Sequence, residues 1–213
     1  MPAQHPSVDA LLFDFGNVIV DIDFRRAFEV WARAAGVPAA RIARRFAFDP
    51  AYVAHELGEI EGTQYFACLR DSLGTRLSDD EFLAGWNAIF VAPRQGMERL
   101  LPALACSLPL YLFSNTNALH HAYWSEQYRS LLNSFTGVYC SHQIGARKPA
   151  RDAFMSVAAK IGVAPARLAF FDDLPENVEG ARLAGLPAFH VTSIPELRAS
   201  LSSLHIPLPP FGT

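Results

Sequence analysis

The sequence predicts an α/β fold: a doubly wound, Rossmann-like parallel sheet of about five strands, with a small all-helical unit inserted after the first strand. Three observations carry this prediction. Apolar runs of strand length recur at 10–13 (ALLF), 110–113 (LYLF), 137–140 (GVYC), 168–171 (LAFF) and 188–191 (AFHV), mostly with helical patterns between them. Their hydrophobicity is continuous rather than alternating, which implies strands buried on both faces and wrapped by helices. The stretch from 24 to about 90 is helical in pattern and far longer than an ordinary crossover.

Taken in order, the first run leads into Asp14, Gly16 and a stretch with Asp21 and Asp23. In the insert, Phe28, Trp31, Ala32 and Ala35 form one helical stripe closed by Gly36 and Pro38. Ser78 and Glu81 match a capping box ahead of Phe82, Trp86, Ile89 and Phe90. Trp31, Trp86 and Phe90 read as the core of that unit. Further on, Phe154, Val157, Ala158 and Ile161 fall at i, i+3, i+4 and i+7, with Gly162 as a stop, and another helix runs from near Pro175 to Gly185. The expected division is an α/β core over 9–23 and 91–204, a helical cap over 24–90 above the sheet's carboxyl edge, and an extended proline-rich tail over 205–213.

Composition narrows the function. With 51% hydrophobic and 18% charged residues and a net charge of −3, the chain has no electrostatic footprint for nucleic acid or an anionic membrane. The N-terminus lacks a basic region and the first apolar run is interrupted by Asp14, so neither a signal peptide nor a membrane span is expected. A cytoplasmic monomer or weak dimer is the expectation. Cys68, Cys106 and Cys140 lie far apart without CxxC spacing and read as buried thiols in a reducing compartment.

In open α/β sheets, ligands bind outside the carboxyl ends of the strands. The residues just beyond each run therefore form one constellation: Asp14; then Ser114 and Asn115; then Lys148 in the segment 141–149; then Asp172 and Asp173. Three carboxylates in one crevice repel by about 4 kcal/mol per pair at ~4 Å and an effective dielectric near 20. A Mg²⁺ ion shared with substrate phosphate oxygens, with Lys148 as a second positive charge, answers that repulsion. Ser114 and Asn115, at the mouth of the helix expected after them, offer a hydroxyl and backbone N–H groups to phosphate oxygens. Pro149 biases Lys148 toward an extended conformation that projects it into the crevice.

The set FDFGNV, FSNTN, RKP and FFDDLPENVEGA, in this order with a helical insert after the first motif, resembles the haloacid dehalogenase superfamily of phosphohydrolases. More narrowly, FDFGNVIVDIDF, HELGEI and FFDD resemble the bacterial branch that includes α-D-glucose-1-phosphate phosphatase. The resemblance implies that Asp14 is the nucleophile and a Mg²⁺ ligand, and that Gly16 offers its backbone carbonyl to the metal. It also implies that Ser114 and Asn115 bind the phosphoryl group and that Lys148 offsets its charge and that of Asp14. Asp173 is the better match for the last metal ligand, with Asp172 a water-mediated ligand or its support. Asn177 braces that loop, and the implied partner is a small phosphorylated substrate such as a sugar phosphate.

Many phosphatases of this superfamily carry an aspartate two residues after the nucleophile as general acid, where this chain has Gly16. Such help is worth about 10²–10⁴-fold, a fraction of the total acceleration, so its loss slows hydrolysis without abolishing it. Asp21, Asp23, His55 and Glu56 are candidates to replace it in part. His120 and His121 read as exposed helix residues, and Trp124 has no assigned role. Competing readings are a 2-haloacid dehalogenase, although those enzymes resemble D-x-Y-G-T rather than DFGNV, and a phospho-acceptor signalling module or a degenerate binding protein.

Overall fold

The computed structural model describes residues 8–210. The chain opens with strand β1 (Ala10–Phe13) and a short β2 (Val20–Ile22), then passes through helices α1 (Phe24–Ala35), α2 (Ala39–Arg45), α3 (Pro50–Leu57), α4 (Gly62–Leu73) and α5 (Asp79–Asn87). Strand β3 (Phe90–Pro93) leads back to α6 (Met97–Ala105) and β4 (Leu110–Ser114). Next come α7 (Ala118–Gln127), α8 (Arg129–Leu132), β5 (Gly137–Cys140), α9 (Ser141–Ile144) and α10 (Arg151–Ile161). The last elements are β6 (Leu168–Asp172), α11 (Pro175–Leu183), β7 (Ala188–His190) and α12 (Ile194–Ser203).

The main sheet has five strands in the order β5-β4-β1-β6-β7, and every neighbouring pair is parallel. Winding runs from β1 outward to β4 and β5, then jumps to the other side of β1 for β6 and β7. The reversal places a crevice outside the carboxyl end of β1, between the ends of β4 and β6. Burial on both faces explains the unbroken apolar runs. Leu11 and Phe13 pack with Leu112, Ala169 and Phe171 on one face, which continues into the helical insertion. Ala10 and Leu12 pack with Phe113, Leu168 and Phe170 on the other, under Phe154, Val157 and Val178.

The insertion hangs from an antiparallel pair, β2 with β3. Local signals set its helix ends: Asp23 caps α1 and accepts from the Arg25 N–H, and Gly36 ends α1 at φ 65°. Asp49 caps α3 with Pro50 in its first turn, and Ser78 and Glu81 form the capping box of α5. Trp31 and Trp86 are fully buried and stacked with ring centroids 6.0 Å apart, and the Trp31 indole donates to the Phe82 carbonyl at 3.0 Å.

Several expectations need correction. The Phe82–Phe90 stripe is not one helix: α5 ends at Asn87, and Phe90 pairs with Ile22 as part of β3. A short apolar run does not by its period distinguish a helix end from a strand. Of the cysteines only Cys140 is buried; Cys68 and Cys106 are exposed. Cys68 lies on the outer side of α4, between buried Phe66 and Leu69, and Cys106 stands at the C-terminal end of α6. His120 is buried rather than exposed, because the Trp86 ring stacks on it at 4.6 Å. Trp124 is buried too, packed against Phe15 at 4.5 Å.

After α12 the described residues 206–210 form no helix or strand, and residues 211–213 of the expected tail lie outside the described residues. No helix among the described residues is long and apolar enough to cross a membrane.

Candidate active site

The residues just past the strand ends converge at the predicted edge. Asp14 extends β1 by one step, its N–H donating to the Phe171 carbonyl at 2.9 Å, so its carboxylate emerges beside the end of β6. There Asp172 is fully buried and Asp173 partly so. One ligand oxygen from each of Asp14, Asp172 and Asp173 lies within 4.8 Å of the others, and among the described residues this is the one acidic or His/Cys group that could hold a metal ion.

Lys148 stands among them, 1% exposed, with Nζ 2.5 Å from Asp14 Oδ1 and 2.7 Å from Asp172 Oδ2. The ammonium also lies over the Phe113 and Phe170 rings, 5.5 and 5.4 Å from their centroids. Burial lowers the lysine's affinity for its proton, but the two carboxylates outweigh it and raise the pKa above the ordinary value. Asp14 moves the other way for a carboxylate: burial pushes it up to about 7, Lys148 opposes, and Asp172 and Asp173 add repulsion. Asp173 is also raised, by burial and by Asp172. One ammonium does not offset three carboxylates, and the donor set of hard oxygens with an excess of negative charge fits a divalent cation.

The acidic loop is braced from several sides. Asp172 Oδ1 accepts from the Leu174 N–H at 2.8 Å, and the Asn177 amide donates to its two oxygens at 3.0 and 3.1 Å. Asn177 thus occupies the position expected of a brace. Asn17, which no expectation included, donates to Asp173 Oδ2 at 3.2 Å while its own Oδ1 accepts from the Ile22 N–H at 3.0 Å. Its φ of 54° lies in the left-handed region that Asn tolerates, and an Asn directly after a Gly was the available signal.

Ser114 ends β4 and is buried, with its hydroxyl only 3.4 Å from the Asn115 carbonyl. Asn115 also has a structural task. Its side chain clasps the Lys148 backbone, Nδ2 donating to the carbonyl and Oδ1 accepting from the N–H, both at 2.9 Å. The next helix, α7, is capped by Asn117, which accepts from the His120 N–H at 3.0 Å.

At Gly16, a Cβ would run into the Ile22 side-chain end and stand 4.0 Å from Asp14 Oδ2. The space that a side chain at position 16 would enter is therefore occupied by the Ile22 methyl end. Of the candidates to replace that acid, Asp21 pairs with Arg94 at 3.1 Å, and Asp23 caps α1 while pairing with Arg25 at 2.8 Å. His55 and Glu56 both lie buried at the seam between α3 and the core. The His55 ring stacks on Tyr65 at 4.6 Å, and burial, with the His142 charge, pushes it down to about 4. Glu56 pairs with Arg147, the residue before Lys148, at 2.8 Å. Burial raises the Glu56 carboxyl, while Arg147, Tyr52 and Lys148 oppose.

Comparison with known proteins agrees with this geometry. A phosphatase of Mycobacterium tuberculosis is 29% identical over 192 residues, covering 87% of this chain and 88% of that protein. The D-ribitol-5-phosphate phosphatase of Bacteroides thetaiotaomicron is 25% identical over 197 residues, covering 90% and 96%. A crystal structure of a HAD family enzyme from the same organism, in complex with magnesium and inorganic phosphate, superposes with a TM-score of 0.76 at 26% identity, covering 86% of this chain and 93% of that one. The family model for haloacid dehalogenase-like hydrolases matches residues 8–185, and this chain belongs to that family of hydrolases.

Proposed function

We propose that the protein is a Mg²⁺-dependent phosphatase that hydrolyses a small phosphorylated metabolite through an aspartyl-phosphate on Asp14. The observation that carries this reading is the convergence of Asp14, Asp172 and Asp173 in one cluster, with a fixed ammonium held between the first two. The relatives support it, since two are phosphatases and a solved one holds magnesium and phosphate. Asp14, the Gly16 carbonyl and Asp173 would hold the ion, with Asp172 as their support. Bound there, Mg²⁺ supplies positive charge against the phosphoryl oxygens.

The chain's own residues do the rest. An Asp14 oxygen attacks phosphorus, the bond to the ester oxygen breaks, and the electron pair stays on that oxygen, which takes a proton from solvent to leave as the alcohol. Water then attacks the phosphorus of the acyl phosphate, releasing phosphate and restoring the carboxylate. Lys148 favours the ionised form of Asp14 for the first step, against the burial that raises its pKa. Ser114 and the backbone at Asn115 orient the phosphoryl oxygens. Helices α1–α5 act as a cap that excludes water from the crevice.

With no acid at position 16, esters whose alcohol leaves readily are favoured. An anomeric oxygen leaves more easily than an ordinary alkoxide, which supports a sugar phosphate such as glucose 1-phosphate. The D-ribitol-5-phosphate phosphatase among the relatives favours a polyol phosphate as the second reading. Phosphate release from a panel containing both, with and without Mg²⁺, tests the proposal. Activity is expected with Mg²⁺ only, and Asp14→Asn is expected to lower it by more than about 10³-fold. Equal rates in parent and variant would remove Asp14 as nucleophile.

A further inference from the structure

Among the described residues, one ion pair joins the helices over 24–87 to a distant part of the chain, Glu56 of α3 with Arg147; the other pair that leaves those helices, Arg25 with Asp23, is local to the start of α1. The Glu56 side chain is only 5% exposed, against 31% for Arg147. A carboxylate buried this deeply is tolerated when it is paired, and removing its partner leaves an uncompensated charge. The pair is part of a built seam. The Ser141 hydroxyl lies 2.6 Å from the Glu56 carbonyl, to which it donates, and it accepts from the Thr116 N–H at 2.9 Å. Two residues on, Gly58 ends α3 at φ 73°, and a Cβ there would strike the His142 carbonyl. Residues 56–58 therefore dock as a unit on the segment 141–147.

The residue at the end of that segment gives the seam its meaning. Arg147 is covalently joined to Lys148, whose backbone is clasped from the core side by Asn115 and whose ammonium bridges Asp14 and Asp172. We infer that Glu56 and Arg147 are positioning residues: the ion pair ties the cap to the Lys148 loop, so that seating of α3 holds the lysine between Asp14 and Asp172. The inference rests on the reading of Asp14 and Lys148 as the reacting centre. Asn115 fixes the loop from within the sheet, and Glu56 fixes it from outside. Neither Glu56 nor Arg147 needs to touch the substrate for the tie to work.

The consequence separates this role from recognition of the leaving group. Lys148 serves every ester alike, so loosening it lowers kcat for all substrates in proportion. In the full-length protein with Mg²⁺, Glu56→Gln keeps the shape and removes the charge; Arg147→Lys tests the pair from its more exposed side. Both are expected to lower kcat by about 10- to 100-fold on 4-nitrophenyl phosphate and on a sugar phosphate alike, with KM changed less than about twofold. Glu56→Asp, which keeps the charge on a shorter stem, is expected to recover part of the loss. Hydrogen exchange reads the tie without turnover: in Glu56→Gln the peptide over 141–150 exchanges faster, while peptides of β1 and β6 do not change. Unchanged protection over 141–150 would overturn the inference, as would a loss confined to the KM of one ester. A parent protein without phosphatase activity would count against the proposed function alone, because the exchange result still decides the tie.

Discussion

The crevice at the carboxyl edge and the seam between α3, α5 and the core are both buried and both polar, yet they settle their charge in opposite ways. In the crevice, Asp14 and Asp172 share one ammonium with Asp173 close beside them, and burial, reinforced by the two neighbouring carboxylates, pushes Asp14 up to about 7 against the pull of Lys148. At the seam, His55 and His120 are held neutral, pushed down to about 4 and about 3, and the one charged pair is matched. His120 shows how a buried imidazole is held neutral there. Its Nε2 faces the Trp86 carbonyl at 2.9 Å and must carry the hydrogen, while Nδ1 accepts from the Asn117 amide at 3.3 Å. A region that only has to hold two layers together removes its charges or pairs them. A region that keeps a surplus of one sign does so because a ligand supplies the other.

The largest test of this contrast is Lys148→Met. It removes the crevice's fixed cation and leaves Asp14 and Asp172 facing each other, a change of the kind that costs about 3–5 kcal/mol. Urea unfolding at pH 7 in chelator is expected to show that loss, and added Mg²⁺ to recover part of it by binding the folded state. A variant as stable as the parent in chelator would mean that the carboxylates do not depend on the lysine.

Titration separates the two regions next. For His55 and His120, with folded pKa values below the ordinary 6.5, the unfolded chain binds more protons, so their contribution is complete above about pH 6.5. It declines as pH falls through about 4 and about 3, with a slope of at most about 1.4 kcal/mol per pH unit per group. Asp14 has the opposite sign: its raised pKa makes the metal-free protein gain stability as pH falls from about 7 toward the ordinary carboxylate range. His55→Phe isolates the seam, since both His55 ring nitrogens are buried without a partner and a phenyl ring keeps the stack on Tyr65. Melting temperatures from pH 4 to 7.5 are expected to show a shallower acid slope in the variant and no loss at neutral pH. An unchanged slope would place the acid sensitivity elsewhere.

The same contrast explains what could be read from the chain alone. Strands buried on both faces write unbroken apolar runs, so β1, β4 and β6 were visible, with the edge strands β5 and β7 legible as short apolar runs beside them, and Asp14, Ser114, Asp172 and Asp173 stand out by being at strand ends. Lys148 was visible through the residues around it. The seam was not. The buried state of His120 depends on the Trp86 ring from a distant segment, and nothing in the pattern of α7 announces it. Strands β2 and β3 are too short, and too unevenly buried, to stand out from neighbouring helices. The task of Asn115 was hidden because its partner is the backbone of Lys148, 33 residues away, and backbone partners leave no side-chain signature.

The smallest expected effect concerns the acid that position 16 lacks. Gly16→Asp alone places a fourth carboxyl beside Asp14, where repulsion raises both pKa values further, and its Cβ meets the Ile22 methyl end. That methyl is the tip of a flexible side chain, so the substitution is expected to be tolerated, with Ile22 crowding the new side chain out of the best position for proton transfer. Gly16→Asp is therefore expected to change kcat by less than about threefold, far below the 10²–10⁴ that a well-placed acid contributes. Removing the obstacle as well, in Gly16→Asp with Ile22→Ala, is expected to raise the rate on an alkyl phosphate relative to 4-nitrophenyl phosphate, because only the poor leaving group needs the proton. The measurement is that ratio of kcat values. A full acid's worth of acceleration from Gly16→Asp alone would show that Ile22 does not block the position, and that the glycine reflects the substrate's leaving group rather than the packing beneath it.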